Sequence, residues 1–214
     1  MKEPPSRDRA VPHLPPEGLV LRTARLELRP LTLEDEDLAV ALFTDPEVVR
    51  YVCDVYTPEA IKDHLPVEVE RGAGGRIGIW TAKLIETGAK IGTGVLLPLP
   101  IDAKDTDWSL LVHDRYPDAE IEVGYMLLPG AWGQGFATEI CVCLLQFAFE
   151  HMALDEIKAV TDPGNLASQR VLQKCGLAAE GMRRAYGEDC AGFGITRRAW
   201  GNTAQGRGAG GRRG

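Results

Sequence analysis

The sequence predicts a mixed α/β (α+β) fold, one central sheet with helices on both faces, and three observations carry this. Short runs with strand character, such as R-L-E-L-R-P at 25–30 and E-V-G-Y-M-L-L at 122–128, recur along the chain. Phe136, Ile140, Leu144 and Phe147 return every three to four residues, with Ala137, Cys141, Leu145 and Ala148 beside them, which marks the broad apolar face of a helix. The two patterns alternate, and alternation places helices against both faces of one sheet.

In chain order, a strand covers 25–30, a helix 33–43 and a second helix 58–71. Strands at 77–86 and 90–98 form a hairpin whose turn contains Gly88. A strand at 120–128 runs into the helix at 136–151, followed by a strand at 156–162 and a helix at 166–175. Gly176 falls just past that helix, where a left-handed residue commonly ends one. Strands near 178–184 and 192–200 close the fold, and no internal repeat is visible.

At 214 residues, 44% hydrophobic and 26% charged, the chain is one domain's worth of an ordinary soluble globule. Residues 1–18 are rich in Pro and charge, and 201–214 read G-N-T-A-Q-G-R-G-A-G-G-R-R-G, too poor in apolar side chains to offset ordering entropy. Both are expected to be flexible tails around a domain at 19–200. Arg207, Arg212 and Arg213 could touch nucleic acid, but the net charge of −7 and a tail without aromatic residues argue against it. No run approaches the ~18 consecutive apolar residues of a membrane span, and no apolar segment follows the charged start, so a cytoplasmic protein is expected. Five cysteines, an odd number, suit reduced thiols. Cys141 and Cys143 point in different directions on a helix, and the four histidines lack ligand spacing, so the expectation for metal is none.

Residues 128–138, L-P-G-A-W-G-Q-G-F-A-T, join the strand to the helix through a glycine-rich turn. The first N–H groups of a helix have no partner within it, and the macrodipole adds partial positive charge there, so an anion fits. Gly133 and Gly135 lack side chains, which lets a phosphate approach the main chain. A lone G-x-G also serves plain tight packing. Thr138 stands where a dinucleotide fingerprint needs its third glycine, and there is no G-K-[ST] for a P-loop, so neither nucleotide fold is supported.

The run E-V-G-Y-M-L-L-P-G-A-W-G-Q-G-F-A-T-E, followed by N-L-A-S-Q-R-V-L-Q-K-C-G-L at 165–177, resembles the GNAT N-acetyltransferases, and most of all the group that includes the ribosomal-protein alanine N-acetyltransferases. The resemblance extends from R-L-E-L-R-P-L at 25–31 through D-P-E-V-V-R-Y-V at 45–52 to G-I-T-R-R-A-W at 194–200. It implies a GNAT fold, a mixed sheet of about six or seven strands split around acetyl-CoA. In the family signature Q/R-x-x-G-x-G/A, Gly135 and Ala137 fill the last two defined positions and Trp132 stands at the first. Gly133, Gln134, Gly135, Phe136, Ala137 and Thr138 are then the expected pyrophosphate cradle. Asn165 resembles the family residue that bonds the pantetheine arm, and it is equally a good helix N-cap. Ser168 is expected near the cofactor or as an ordinary first-turn residue. A backbone N–H of the split strand, at Leu127 or Leu128, is expected to hold the thioester oxygen.

The implied reaction is acetyl transfer from acetyl-CoA to a primary amine, a protein N-terminus or a small-molecule amine, by direct attack in a ternary complex. At about 1.36 kcal/mol per pKa unit, neutralising the amine at pH 7 costs about 1 kcal/mol for an α-amino group and about 4.6 kcal/mol for a lysine. Glu122, in the strand where family members carry a carboxylate aimed at the acceptor, is the expected base, acting directly or through a water. Glu120 shares its strand parity and could raise its pKa, or simply be a solvated charge. Many relatives place a tyrosine where this chain has Leu172, which leaves the acid for the thiolate unassigned, Tyr125 being as readily a packing residue. The alternative function is a noncatalytic acyl-CoA-binding or sensing module; a homodimer stays open. Between the strands, 101–119 holds Trp108, His113 and Tyr116, and 101–122 carries seven acids against Lys104 and Arg115, an expected border of a cationic-amine channel.

Overall fold

The computed structural model describes residues 10–210. Its elements run β1 (Leu21–Arg22), β2 (Leu26–Pro30), α1 (Glu36–Phe43), α2 (Pro46–Val49), α3 (Pro58–Glu68), β3 (Gly78–Leu84), β4 (Lys90–Pro98), β5 (Ile121–Leu127), α4 (Phe136–His151), β6 (Glu156–Thr161), α5 (Leu166–Lys174), β7 (Ala178–Ala185), β8 (Glu188–Thr196), α6 (Arg197–Gly201) and α7 (Ala204–Gly210). The strands form one 8-stranded sheet in the order β1-β2-β3-β4-β5-β6-β8-β7. The strand beyond the expected six or seven is β1, too short to show any periodicity. Neighbours are antiparallel except β5 and β6, which run parallel and share a single register pair, Glu122 with Lys158.

α4 seats its apolar stripe on one face of the sheet, burying Ile140, Leu144 and Leu145 completely, while Trp80 meets Phe147 edge-on at 5.6 Å. Gly94 permits that approach: a Cβ there would lie 2.5 Å from Ile140 Cγ2. On the opposite face, Leu31, Ala39, Ile61, Leu65, Ile79 and Leu97 join α1 and α3 to the sheet. Local chemistry sets the ends: Asp45 caps α2 through Glu47 N–H, and Thr57 caps α3 through Ala60 N–H.

Three further expectations differ from the structure. The last strand covers 188–196 instead of 192–200, because Thr196 caps a new helix through Ala199 N–H at 3.1 Å. That helix buries Trp200 against Phe149, and Arg197 gives its guanidinium to the carbonyls of Phe149, Met152 and Leu154 at the end of α4. In the expected N-terminal tail, residues 10–18 lie against the domain: Val11 is buried, its N–H bonds Asp114 O, and Arg76 donates to Pro12 O. In the expected C-terminal tail, 204–210 is helical, begun by Thr203, whose hydroxyl accepts from Gly206 N–H at 2.9 Å. Residues 1–9 and 211–214, with Arg212 and Arg213, lie outside the described residues. Among the described residues no helix is long and apolar enough to cross a membrane.

Candidate active site

Parallel β5 and β6 are paired only at Glu122 and Lys158, so their C-terminal halves part and leave a split in the sheet. Each strand is followed by a helix, α4 after β5 and α5 after β6, and such a crevice beyond strand ends is where open α/β sheets bind ligands. Hydrogen bonding on the other edge of β5 shows which groups are free. Leu128 N–H donates to Ile91 O at 2.9 Å, and Leu99 N–H to Glu120 O at 2.9 Å. Antiparallel pairing alternates, so the N–H groups of Tyr125 and Leu127 point the opposite way, toward the split. Of the two expected oxyanion donors, Leu128 is therefore committed to β4, and Leu127 faces the gap.

The turn after β5 is held in several places. The Trp132 indole N–H donates to Leu127 O at 2.8 Å, which gives this residue a structural use at a position where the family usually has Gln or Arg. Gln134 Nε2 reaches back to Gly130 O at 2.8 Å. Gly133 and Gly135 take φ of 73° and 83°, left-handed values that glycine adopts without strain. From Gly133 through Gln134, Gly135, Phe136 and Ala137 to Thr138, no backbone N–H finds an acceptor among the described residues; the first N–H of α4 to be satisfied is Glu139's, by Gly135 O. A run of bare donors at a helix N-terminus is an arrangement that suits an anion. Arg25 braces it: its guanidinium pairs with Glu139 at 2.6 Å, donates to Gln134 O at 3.0 Å and lies 4.3 Å over the Phe136 ring.

Across the split, Asn165 Oδ1 accepts from Ser168 N–H at 3.0 Å, so it is the N-cap of α5, and its Nδ2 stays free to donate. Ser168 meets the Tyr125 hydroxyl through its own hydroxyl at 3.1 Å and its carbonyl at 3.2 Å. Burial pushes the Tyr125 phenol well above its usual range, so it is a neutral group bridging strand and helix. Leu172 is buried in the main core.

Glu122 sits where the strands begin to part. Parity puts Val123, Tyr125 and Leu127 against the α4 side and Glu122 with Met126 on the α1–α2 side. The residue is only 5% exposed, and its carboxylate accepts a hydrogen bond from the Tyr186 hydroxyl. Burial, the largest influence, pushes its pKa up to about 7, against the opposing pull of the Tyr186 bond and the Arg183 cation. Glu120 does not act as the expected like-charge neighbour: it precedes β5 and forms an ion pair with Arg183.

The 101–119 segment divides in two. Its second half is structural: Val112 and His113 carbonyls accept from Ala73 and Gly74, and Tyr116 is buried with its hydroxyl on Ala153 N–H. Its first half reaches the site, where Asp105 and Thr106 face Tyr186. Asp105 is also 3.4 Å from His64 of α3.

Sequence reading missed two residues here. Tyr186 lies in the two-residue turn Tyr186-Gly187 between β7 and β8, and the Gly after it was the available hairpin signal. Arg25 meets Glu139 across 114 positions, which no local pattern reveals.

A family model described as an acetyltransferase (GNAT) domain matches residues 25–178. The chain belongs to the GNAT acetyltransferases. This GNAT protein is an N-acetyltransferase. The FsC-acetyl coenzyme A-N(2)-transacetylase of Aspergillus fumigatus is 32% identical over 160 residues, 73% of this chain and 64% of that protein, so the chain spans less than two thirds of that relative. The uncharacterised N-acetyltransferase YoaA of Bacillus subtilis is 31% identical over 170 residues, 78% of this chain and 87% of YoaA. Among solved structures, an acetyltransferase from Agrobacterium tumefaciens superposes with TM-score 0.65 at 24% identity, covering 82% of this chain and 93% of that one. The ribosomal L7/L12 alpha-N-protein acetyltransferase RimL, in complex with coenzyme A, superposes with TM-score 0.63 at 14% identity, over 83% and 97% of the two chains. These structural likenesses speak to the fold.

Proposed function

We propose that the chain transfers the acetyl group of acetyl-CoA to a primary amine by direct attack in a ternary complex, with Glu122 as base. The single observation that carries this reading is the run of unpartnered N–H groups from Gly133 to Thr138, one strand length from a buried carboxylate whose pKa lies near 7. Those donors suit a pyrophosphate, Asn165 Nδ2 suits an amide carbonyl of the pantetheine arm, and Leu127 N–H suits the oxygen of a thioester. Ser168, tied to Tyr125, lines the same crevice.

A base with pKa about 7 is half ionised at neutral pH, the condition in which general-base catalysis works best. The amine nitrogen bonds to the thioester carbon, the C–S bond breaks, and coenzyme A leaves as thiolate. Of the two protons lost by the starting ammonium, one passes through Glu122 and the other ends on the thiolate or in solvent. Tyr125, neutral and bonded to Ser168, bridges β5 and α5.

The likeness to the ribosomal-protein alanine N-acetyltransferases makes a protein α-amine the first acceptor to test, with small-molecule amines second. The test is thiol release from acetyl-CoA across N-terminal peptides and small amines. Release with at least one acceptor is expected; tight acetyl-CoA binding without release on any of them would favour a sensing module.

A further inference from the structure

Tyr186 occupies a costly backbone position. Its φ is 53°, and in the two-residue turn between β7 and β8 that place is ordinarily taken by Gly, Asn or Asp. A bulky residue held in the left-handed region persists only where its surroundings fix it, and such outliers gather at functional sites. Here the surroundings are visible. Tyr186 N–H donates to Pro100 O at 3.2 Å and Gly187 N–H to Ile101 O at 3.0 Å, so the turn is latched to the segment after β4. Ala185 and Cys190 pack with Leu99 and Val160 beneath it. The result is that the phenol, only partly exposed, ends on the Glu122 carboxylate, 64 positions away in the chain.

We propose that Tyr186 is the positioning residue of this site: its hydroxyl orients the Glu122 carboxylate, favours its ionised form, and links the base to the 100–106 segment. The inference rests on Glu122 being the base. The other charged groups around Glu122 have partners of their own, although Arg183 also favours its charged form and keeps a buried Nε without a hydrogen-bond partner among the described residues. Arg183 of β7 pairs with Glu120, and Lys158 of β6, the register partner of Glu122, is held by Glu156 and Glu180. Asp105 and the buried Thr106 face Tyr186, and the Cys190 thiol of β8 is pushed up by burial. Tyr186 is thus the one group hydrogen-bonded to this carboxylate among the described residues.

A hydrogen bond to the charged form lowers a carboxyl pKa, so its removal raises it. Titration of 13C-glutamate-labelled protein by NMR, with the Glu122 signal assigned by its loss in Glu122→Gln, reads this without any acceptor. Tyr186→Phe should move the Glu122 midpoint up by about one pH unit, a roughly tenfold loss of ionised base at pH 6. Thr106→Val should move it in the same direction by less. With an accepted amine, the kcat profile of Tyr186→Phe should shift by the same amount and recover above pH 9. A folded Tyr186→Phe protein with an unmoved midpoint would overturn the proposal, as would an unmoved midpoint in Thr106→Val if Tyr186→Phe does not fold. Full turnover by Glu122→Gln would instead remove the base assignment and leave the titration result standing.

Discussion

Glu122 carries an energetic penalty as well as a role. Its folded pKa, about 7, lies above the ordinary value of 4.5, so between these pH values the unfolded chain releases the proton first and stability falls as pH rises. The full penalty, on the order of 3 kcal/mol, is present above pH 7 and absent below 4.5. Glu122→Gln should therefore be more stable than the parent in urea denaturation at pH 8, and the difference should vanish near pH 4. A carboxylate that weakens the fold at working pH is consistent with the proposed role of Glu122 as base. Asn165 allows a second separation at this scale. Asn165→Ala should lose about 1 kcal/mol of stability through the missing cap, and should raise the Michaelis constant for acetyl-CoA only if Nδ2 also bonds the cofactor.

The turn into α4 behaves as one element with three supports, the Trp132 indole, the Gln134 amide and the Arg25–Glu139 pair. Gly135→Ala would place a side chain at φ 83° with no neighbour closer than 3.6 Å, so its effect is backbone strain of about 1–2 kcal/mol. A lower melting temperature and weaker acetyl-CoA binding are expected. Arg25→Ala leaves the backbone alone and keeps the bonds of Glu139 to the Thr23 hydroxyl and the residue-25 N–H, but removes its counter-cation, so the carboxylate then repels an incoming phosphate. Acetyl-CoA affinity measured by calorimetry should fall about tenfold, equivalent to about 1.4 kcal/mol. This element was also the most legible in the sequence. Glycine spacing, the preceding strand and the 3.6-residue period of α4 are local signals, and the bounds expected for α4 and for β4 match the structure. Arg25, the contact of Tyr186 with Glu122 and the packing of the helix at 197–201 were not legible for the converse reason: each is fixed by partners far along the chain, even though Gly187 and the Thr196 cap are local signals. Trp200 reads as a strand residue until Phe149 is placed beside it.

The whole molecule brings two unlike surfaces to the split. One is the bare N–H turn, suited to an anion; the other is the acidic first half of the 101–119 segment, with Asp105 beside His64 and Tyr186. Composition revealed the acidic run, but only the fold shows that 101–107 borders the site while Tyr116 belongs to the core. Deleting the entire segment would accordingly damage the fold, and Asp105→Asn, with Asp107 left to cap the turn at 108–110, is the cleaner probe. It should raise the Michaelis constant for a cationic amine, more at low salt than at high salt, and leave acetyl-CoA affinity unchanged.

The division of labour between turn and carboxylate is tested most directly by Glu122→Gln, with acetyl-CoA affinity and kcat measured side by side at pH 8. Affinity within about twofold of the parent, together with kcat lower by about 10²–10⁴, is the expected result. Parent-level kcat in the folded variant would contradict it.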